Sequence, residues 1–505
     1  MYQNNRLFHT FARNLLGFRE NINIFTQKNK IVMLIGRDKE QAILLSLLEK
    51  SESQFCTVYG RRRVGKTYLV RQVFKENMFF SHTGVYKSTK SIQLKAFYNS
   101  LLSYGLAKGF KKPKDWNDAF QLLVSLIQAD NSKNKKVIFI DELSWMDTKQ
   151  SGFLSSLEHF WNNYASARND IVLITCCSST SWVLDNLINN TGGLYGRLTE
   201  QINLQPFSLG TCEEYIKALG LEMSRKDIAE GYMIMGGIPF YWSHLRKGES
   251  LAQAIDRLFF YESATFKNEF DALYASIFNR PDNYISVVKA LGGKKSGMTR
   301  EEILKATKLS NNKVFKRILN ELEQSGFIRS YNSFGKRNHN TIFQLIDNFT
   351  LFYLRFMKEN RSRENNFWSY NIDTPLHYNW AGLAFERLCL WHIPQIKMAL
   401  GIFGVSTECF AWLKKQDDES KGVQIDLIID RKDGIINICE MKYSNYEYAI
   451  SSDDDTSLRE RKETFRTFSK TKKSIHITMV TSYGVKHNAY SNIIQSEVKL
   501  DDLFK

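Results

Sequence analysis

Phe55-Cys-Thr-Val-Tyr59, running into Gly60-Arg61-Arg62-Arg63-Val64-Gly65-Lys66-Thr67-Tyr68, decides the reading of the first half of the chain. The apolar, aromatic and β-branched run predicts a strand, and Tyr68 to Phe74 carries a helical pattern. Between them stands GxxxxGK[ST], in the strand, loop, helix context that this pattern requires. The glycines let backbone N–H groups curl around phosphate oxygens, and the helix N-terminus adds the positive end of its dipole. Lys66 is expected to reach the β- and γ-phosphates of ATP, and the Thr67 hydroxyl to ligate Mg2+. Only backbone is strictly needed in the loop, so Arg61, Arg62 and Arg63 have three uses open: solvation, phosphate contact or DNA contact.

Working outward, Val137-Ile-Phe-Ile140 is an unbroken apolar run, as expected of a buried parallel strand, and it ends in Asp141-Glu142. Carboxylates at the C-terminal end of such a strand face the ligand crevice. Asp141 is expected to hold magnesium through water, and Glu142 to polarise the attacking water as general base. Ile171-Val-Leu-Ile-Thr175 predicts a further strand, followed by Ser178, Ser179 and Thr180. Ser178 is the candidate to sense the γ-phosphate; an ordinary serine loop is the other reading. Strands near 79–86 and 200–204, with helices between, complete a five-stranded parallel sheet.

These residues resemble the AAA+ superclass, and more narrowly the archaeal-type ATPase family of prokaryotes, related to STAND signalling ATPases. The resemblance rests on Gly36-Arg37 with Glu40, the Gly60–Thr67 loop, Ile140-Asp141-Glu142, Leu194-Tyr-Gly-Arg197, Pro206-Phe207-Ser208 and Gly236-Gly-Ile-Pro239. It implies an ATPase with a helical lid. It also implies an adenine-side contact at Gly36-Arg37 and a γ-phosphate or intersubunit role for Arg197. The family usually has Gly-Ser after the fourth strand, whereas here Cys177 precedes Ser178.

From Tyr284 the pattern becomes three helices and a hairpin: Tyr284–Leu291, Thr299–Thr307, Asn311–Ser325, then Phe327–Tyr331 and Thr341–Leu345. Thr299 fits an N-cap with Glu302 three residues on, and Gly326 sits where a C-cap is expected. This is a winged helix-turn-helix order. In the third helix Val314, Ile318, Leu319 and Leu322 form the expected apolar stripe. That leaves Lys313, Lys316, Arg317 and Asn320 outward, with Lys336 and Arg337 on the wing. Residues 281–340 hold 12 Lys and Arg against 5 Asp and Glu, a net of +7. Two readings stay open, a DNA-contacting face and a module that packs on the nucleotide domain.

In the last part, Trp380-Ala-Gly-Leu-Ala-Phe385-Glu386 starts an amphipathic helix. Val423–Asp430 and Ile435–Lys442 flank Asp433-Gly434, a strong hairpin signal. Counting back from the turn sets Asp426 within one register step of Glu440, with Lys442 on the same face as Glu440. Two carboxylates and a lysine among Ile, Leu and Cys are costly to bury without a metal or partner, and Asp plus Glu are the hard oxygen ligands that magnesium takes. Such a metal activates water against a phosphodiester while Lys442 steadies developing charge. The set resembles the PD-(D/E)xK nuclease superfamily, with Asp426, Glu440 and Lys442 matching its core and Glu386 its helix acid. The carboxy-terminal region of the archaeal-type ATPases looks like this too. The plainer reading is a solvated edge hairpin. Downstream, Asp453-Asp454-Asp455 reads as a solvated loop, and Leu458–Lys473, with Phe465 and Phe468 at helical spacing, as a helix covering the sheet.

The chain has 505 residues, enough for about three domains, with 43% hydrophobic and 24% charged residues, which excludes disordered and fibrous classes. Its net charge of +16 favours polyanionic partners without naming one. Seven scattered cysteines and no CxxC pair favour buried free thiols in a reducing compartment. No apolar run reaches membrane-helix length, so a cytoplasmic location with no membrane partner is expected. Arg6, Arg13 and Arg19 precede any acid, a weak transit-peptide look; an extension upstream of a start at Met33 is the plainer alternative.

The expected organisation is α/β and multidomain. An extension (1–34) leads into an AAA+ P-loop core with a parallel sheet (35–205) and a helical lid (206–280). A winged helix (281–350), a connector (351–378) and an α/β PD-(D/E)xK-like domain (379–505) follow. ATP and Mg2+ are the expected cofactors and DNA the expected macromolecular partner. A protein partner or homo-oligomer stays open, as does a nucleotide switch that binds without cutting.

Overall fold

The computed structural model describes residues 34–278, 280–331, 334, 341–358, 364–414 and 422–505. The expectations for residues 1–33, and for Lys336 and Arg337, lie outside the described residues.

The first sheet contains β1 (Gln54–Tyr59), β2 (Met78–Thr83), β3 (Lys136–Asp141), β4 (Ile171–Cys177) and β5 (Glu200–Asn203), in the order β2-β3-β4-β1-β5. Every pairing is parallel. Both faces are buried, as continuous apolar runs demand. Cys56, Val58, Val137 and Phe139 enter one core, whereas Phe55, Tyr59, Ile138 and Ile140 enter the other beneath the helices Lys90–Ser103, Trp116–Ala129 and Phe153–Asn163. Because the strands are parallel, the ends of β1, β3 and β4 come to one edge. That edge holds the functional loops.

A run of helices from Leu209 to Ile277 packs on the first core. Next come the helices Pro281–Gly292, Arg300–Thr307 and Lys313–Gln324 with a small sheet of β6 (Met298–Thr299), β7 (Ile328–Tyr331) and β8 (Ile342–Leu345), ordered β6-β8-β7. Thr299 and Glu302 form the expected capping box. The apolar stripe of the third helix is shifted by one residue from expectation: Phe315, Ile318, Leu319 and Leu322 are buried, while Val314 is exposed. At 3.6 residues per turn, 315, 318, 319 and 322 share a face that 314 leaves by about 100°.

The helix Asn348–Phe352 runs into the stretch read as a connector, which is helical again over Phe367–Asn371 and packs Trp368 against Trp380, ring centres 5.1 Å apart. The helix expected from Trp380 begins at Pro375, capped by the Thr374 side chain. The last sheet has β9 (Thr407–Lys414), β10 (Val423–Arg431), β11 (Ile435–Lys442), β13 (Ser474–Thr481) and β15 (Ile494–Lys499), in the order β15-β13-β11-β10-β9; β12 (Tyr448–Ala449) pairs separately with β14 (Val485–Lys486). The β10–β11 pairing is antiparallel through the Asp433-Gly434 turn, and β11–β13 is parallel.

Asp453-Asp454-Asp455 is not a loop. It is the first turn of the helix Ser452–Ser469, with Ser451 and Asp454 forming a capping box. Three acids suit the positive end of a helix dipole, a signal that outweighs their solvation as a loop. Phe465 from this helix is buried, whereas Phe468 is 56% exposed and lies off the covering face. Six cysteines are buried free thiols; Cys409 is exposed.

Candidate functional site

Gly60 and Gly65 both adopt positive φ, 136° and 96°, and a Cβ on Gly60 would lie 2.5 Å from the Leu204 carbonyl oxygen. The loop's tight path therefore needs glycine at that position. Lys66 is buried at the start of the helix Lys66–Val73, and its Nζ donates to the carbonyl oxygens of Gly60 and Arg61, both at 3.0 Å, and to Ser178 Oγ at 3.2 Å. The Thr67 hydroxyl donates to Asp141 Oδ2 at 2.8 Å. Burial, with the charge of Glu142 adding to it, pushes the Asp141 carboxyl up to about 6.

Glu142 takes a left-handed conformation, φ 54°, that few non-glycine residues adopt. This turns its carboxylate onto Ser178, whose N–H donates to Oε2 at 3.1 Å and whose hydroxyl donates to Oε1 at 2.5 Å. Ser178 thus joins the candidate base to the candidate phosphate-binding lysine. A hydroxyl and a raised, buried carboxyl in contact are the hard-oxygen set a magnesium ion takes, so Thr67 and Asp141 fit that ion.

Two of the three loop arginines, Arg61 and Arg63, are held by acids of other segments. Arg61 pairs with buried Asp347 at 2.5 Å and lies over the Phe327 ring at 4.9 Å. Arg63 pairs with Glu269 and lies 4.2 Å over Phe240. The phosphate loop is therefore held by side chains of the helical segment and of the middle segment. Arg62 has no ion-pair partner among the described residues, and Tyr68 is 47% exposed beside the loop. On the other side Arg37, buried over Phe207, donates to the Val64 carbonyl at 3.2 Å, and Gly36 turns at φ 62° against Thr211.

Arg197 lies elsewhere. It precedes β5, two residues before Thr199, whose N–H donates to the Phe55 carbonyl at the start of β1. The phosphate loop leaves the opposite end of β1. A γ-phosphate contact from Arg197 within one chain does not fit this placement, and its loop position is also that of a surface arginine.

In the middle segment Lys313, Lys316 and Asn320 are exposed. Arg317 is held by Glu321 at 2.6 Å, and Glu321 also accepts from the Tyr284 hydroxyl. The helix Lys313–Gln324 packs against Thr180–Val183 of the first domain.

Register brings the last set close: the β10–β11 pairing ends at Leu427 and Cys439, the residues next to Asp426 and Glu440. Asp426, Glu440, Lys442 and Glu386 line one open cleft. Several of their oxygens are engaged, while the buried Glu386 Oε2 meets no partner. Glu440 meets Arg461 at 2.5 Å and Lys442 at 3.2 Å, Asp426 accepts from Gln424 at 2.5 Å, and Glu386 Oε1 pairs with Lys295 at 2.6 Å. Burial, and then the charge of Asp426, raises the Glu386 carboxyl to about 7. Among the described residues no three His, Cys, Asp or Glu side chains converge as a metal-ligand group. Cations of the chain itself pair with two of the three acids expected to form such a set, Glu386 and Glu440.

Sequence reasoning missed Asp347, Glu269, Lys295 and Arg461. The one available signal was the presence of three arginines in a loop that needs only backbone.

The parallel sheet, the Gly60–Thr67 loop and the acids at the end of β3 define an α/β fold of the P-loop ATPase type. Residues 34–245 match a family described as an ATPase domain predominantly from Archaea. An uncharacterized protein of Methanocaldococcus jannaschii is 24% identical over 264 residues, 51% of this chain and 54% of that protein. The chain thus spans about half the length of that curated relative. Similar solved structures include the Walker-type ATPase of Pyrococcus abyssi (18% identity, 64% of this chain and 96% of that one, TM-score 0.43). The ORC2 protein of Aeropyrum pernix in ADPNP–ADP complexes is another (11% identity, 66% and 96%, TM-score 0.42). Among the described residues no helix is long and apolar enough to cross a membrane.

Proposed function

We propose that the chain binds and hydrolyses ATP at the Gly60–Thr67 loop and that nucleotide state governs the middle and last domains. The observation that carries this is the linked set Lys66, Ser178, Glu142, Asp141 and Thr67 at one sheet edge. The loop amides and Lys66 hold the phosphates, and phosphate displaces the carbonyl and Ser178 bonds that now satisfy Lys66 Nζ. Thr67 and Asp141 would hold magnesium, which neutralises charge on the phosphate oxygens. Glu142, oriented by Ser178, accepts a proton from the attacking water. Arg61 and Arg63 carry the consequence outward, because any rearrangement of the loop must move or break their pairs with Asp347 and Glu269. Arg197 would serve a neighbouring copy.

In this reading the middle segment contacts DNA through Lys313, Lys316 and Asn320, and the last domain is a metal-dependent, nuclease-like unit built on Asp426, Glu440 and Lys442. Cleavage there requires Lys295 and Arg461 to give up Glu386 and Glu440. The pairing of those acids with cations favours a second reading, a nucleotide switch that binds DNA or a protein and cuts nothing. Incubation with DNA, magnesium and ATP tests the choice. Cleavage lost in Glu440→Ala and in Lys66→Ala is the expected result. No nicking by the wild type, together with DNA retention lost in Lys313→Glu/Lys316→Glu, would replace it with the second reading.

A further inference from the structure

A cavity of roughly 470 Å³ lies between the helix Pro375–Trp391, the middle segment and Met233 of the helical segment, well within the size range of small-molecule sites. Its walls carry Lys289, Lys294, Lys295, Arg355, Lys358 and Arg387 and no carboxylate. Trp380, Leu351 and Leu383 supply apolar surface beside them.

Arg387 is the deepest of the cations, 4% exposed; its Nη2 donates to the Lys295 carbonyl at 2.9 Å, while Nη1 meets no acceptor. A buried guanidinium N–H without a partner is costly, and an anion in the cavity would satisfy it. Lys289, Arg355 and Lys358 have no hydrogen-bond or ion-pair partner among the described residues. These exposed cations ring the mouth of the cavity, with the buried Arg387 at its base and Trp380 on its wall.

We propose that this cavity binds a small phosphorylated molecule with an apolar body, its phosphate on Arg387 and Lys295 and its body against Trp380 and Leu383. A small ligand is favoured over a nucleic-acid backbone because the unpartnered nitrogen is buried beyond the reach of a phosphate on a duplex. Lys295 also lines the acidic cleft, where it holds Glu386. A phosphate that draws Lys295 away therefore releases Glu386. This last consequence rests on the nuclease-like reading of the cleft; the binding site itself does not.

The test is calorimetric titration of the full chain with 1-naphthyl phosphate. Saturable binding is expected, weakened at least about tenfold in Arg387→Gln and in Arg355→Glu/Lys358→Glu, and unchanged in Lys66→Ala. The rim variant keeps the test decisive where the buried one fails to fold. Equal binding of 1-naphthol, loss of binding in Lys66→Ala, displacement of the probe by duplex DNA, or no binding at all would each overturn the proposal. Probe binding reads the cavity whether or not the protein cuts DNA, so its failure is distinguishable from failure of the nuclease reading.

Discussion

Replacing Asp347 with asparagine keeps the side chain's volume and its capping role but removes the charge that faces Arg61. Both partners are buried, Arg61 at 9% and Asp347 at 2% exposure. Burial opposes the charge on the Arg61 guanidinium, and Asp347 more than offsets that, holding its pKa above the ordinary arginine value. Removing one member of a buried pair costs about 3–5 kcal/mol, because the other is left charged without compensation. Asp347 also accepts the Thr350 N–H at 2.9 Å, capping Asn348–Phe352. Asparagine preserves that bond; alanine loses it and costs about 1 kcal/mol more.

Arg61→Met/Asp347→Leu should recover most of the loss, since an apolar pair of similar volume is roughly neutral against a buried ion pair, and Phe327 already supplies an apolar neighbour. A chain of 505 residues does not unfold in one step, so the readout is local. Native-state hydrogen exchange of Ile328–Tyr331, Ile342–Leu345 and the phosphate loop should accelerate on the order of a hundredfold in Asp347→Asn, the equivalent of about 3 kcal/mol. A change within about 0.5 kcal/mol of wild type, or a double variant as unstable as the two single losses added, would refute the claim that this pair clamps the loop.

Three further outcomes are expected. Ser178→Ala should lower the rate of ATP hydrolysis roughly ten- to a hundredfold while leaving nucleotide affinity nearly unchanged, as read by steady-state kinetics beside equilibrium binding. His392, buried with Nε2 accepting the Leu209 N–H at 3.0 Å, has its pKa lowered from 6.5 to about 4 by burial. The folded state therefore resists the proton that the unfolded state takes. Stability from His392 is complete above pH 6.5 and falls by about 3 kcal/mol as pH drops towards 4. His82 shifts in the same direction, so the comparison is the difference between the pH profiles of wild type and His392→Leu, in which that share of the slope disappears. Lys295→Gln should leave Glu386 without its cation, and calorimetry should then detect tighter magnesium binding at the cleft than in the wild type.

What the sequence made legible was local. The Gly60–Thr67 loop, the strand ending in Asp141-Glu142 and the Asp433-Gly434 hairpin all state their geometry within a dozen residues. The hairpin turn even put Asp426 and Glu440 beside the last paired residues, Leu427 and Cys439. The sequence was least informative where partners are distant: Arg61 and Asp347 are 286 positions apart, and Lys295 and Glu386 are 91. No local periodicity encodes such pairs. Val314 and Asp453–Asp455 failed differently. In each a local signal existed, the i, i+3, i+4 stripe beginning at Phe315 and the Ser451–Asp454 cap, but a neighbouring pattern concealed it.

The central claim is that Glu142, held by Ser178, is the general base of an ATP hydrolase. Hydrolysis of labelled ATP by wild type and Glu142→Gln, with binding measured on the same preparations, tests it most directly. Glu142→Gln should retain ATP and lose turnover, whereas Lys66→Ala should retain neither. Turnover by Glu142→Gln at the wild-type rate would contradict it.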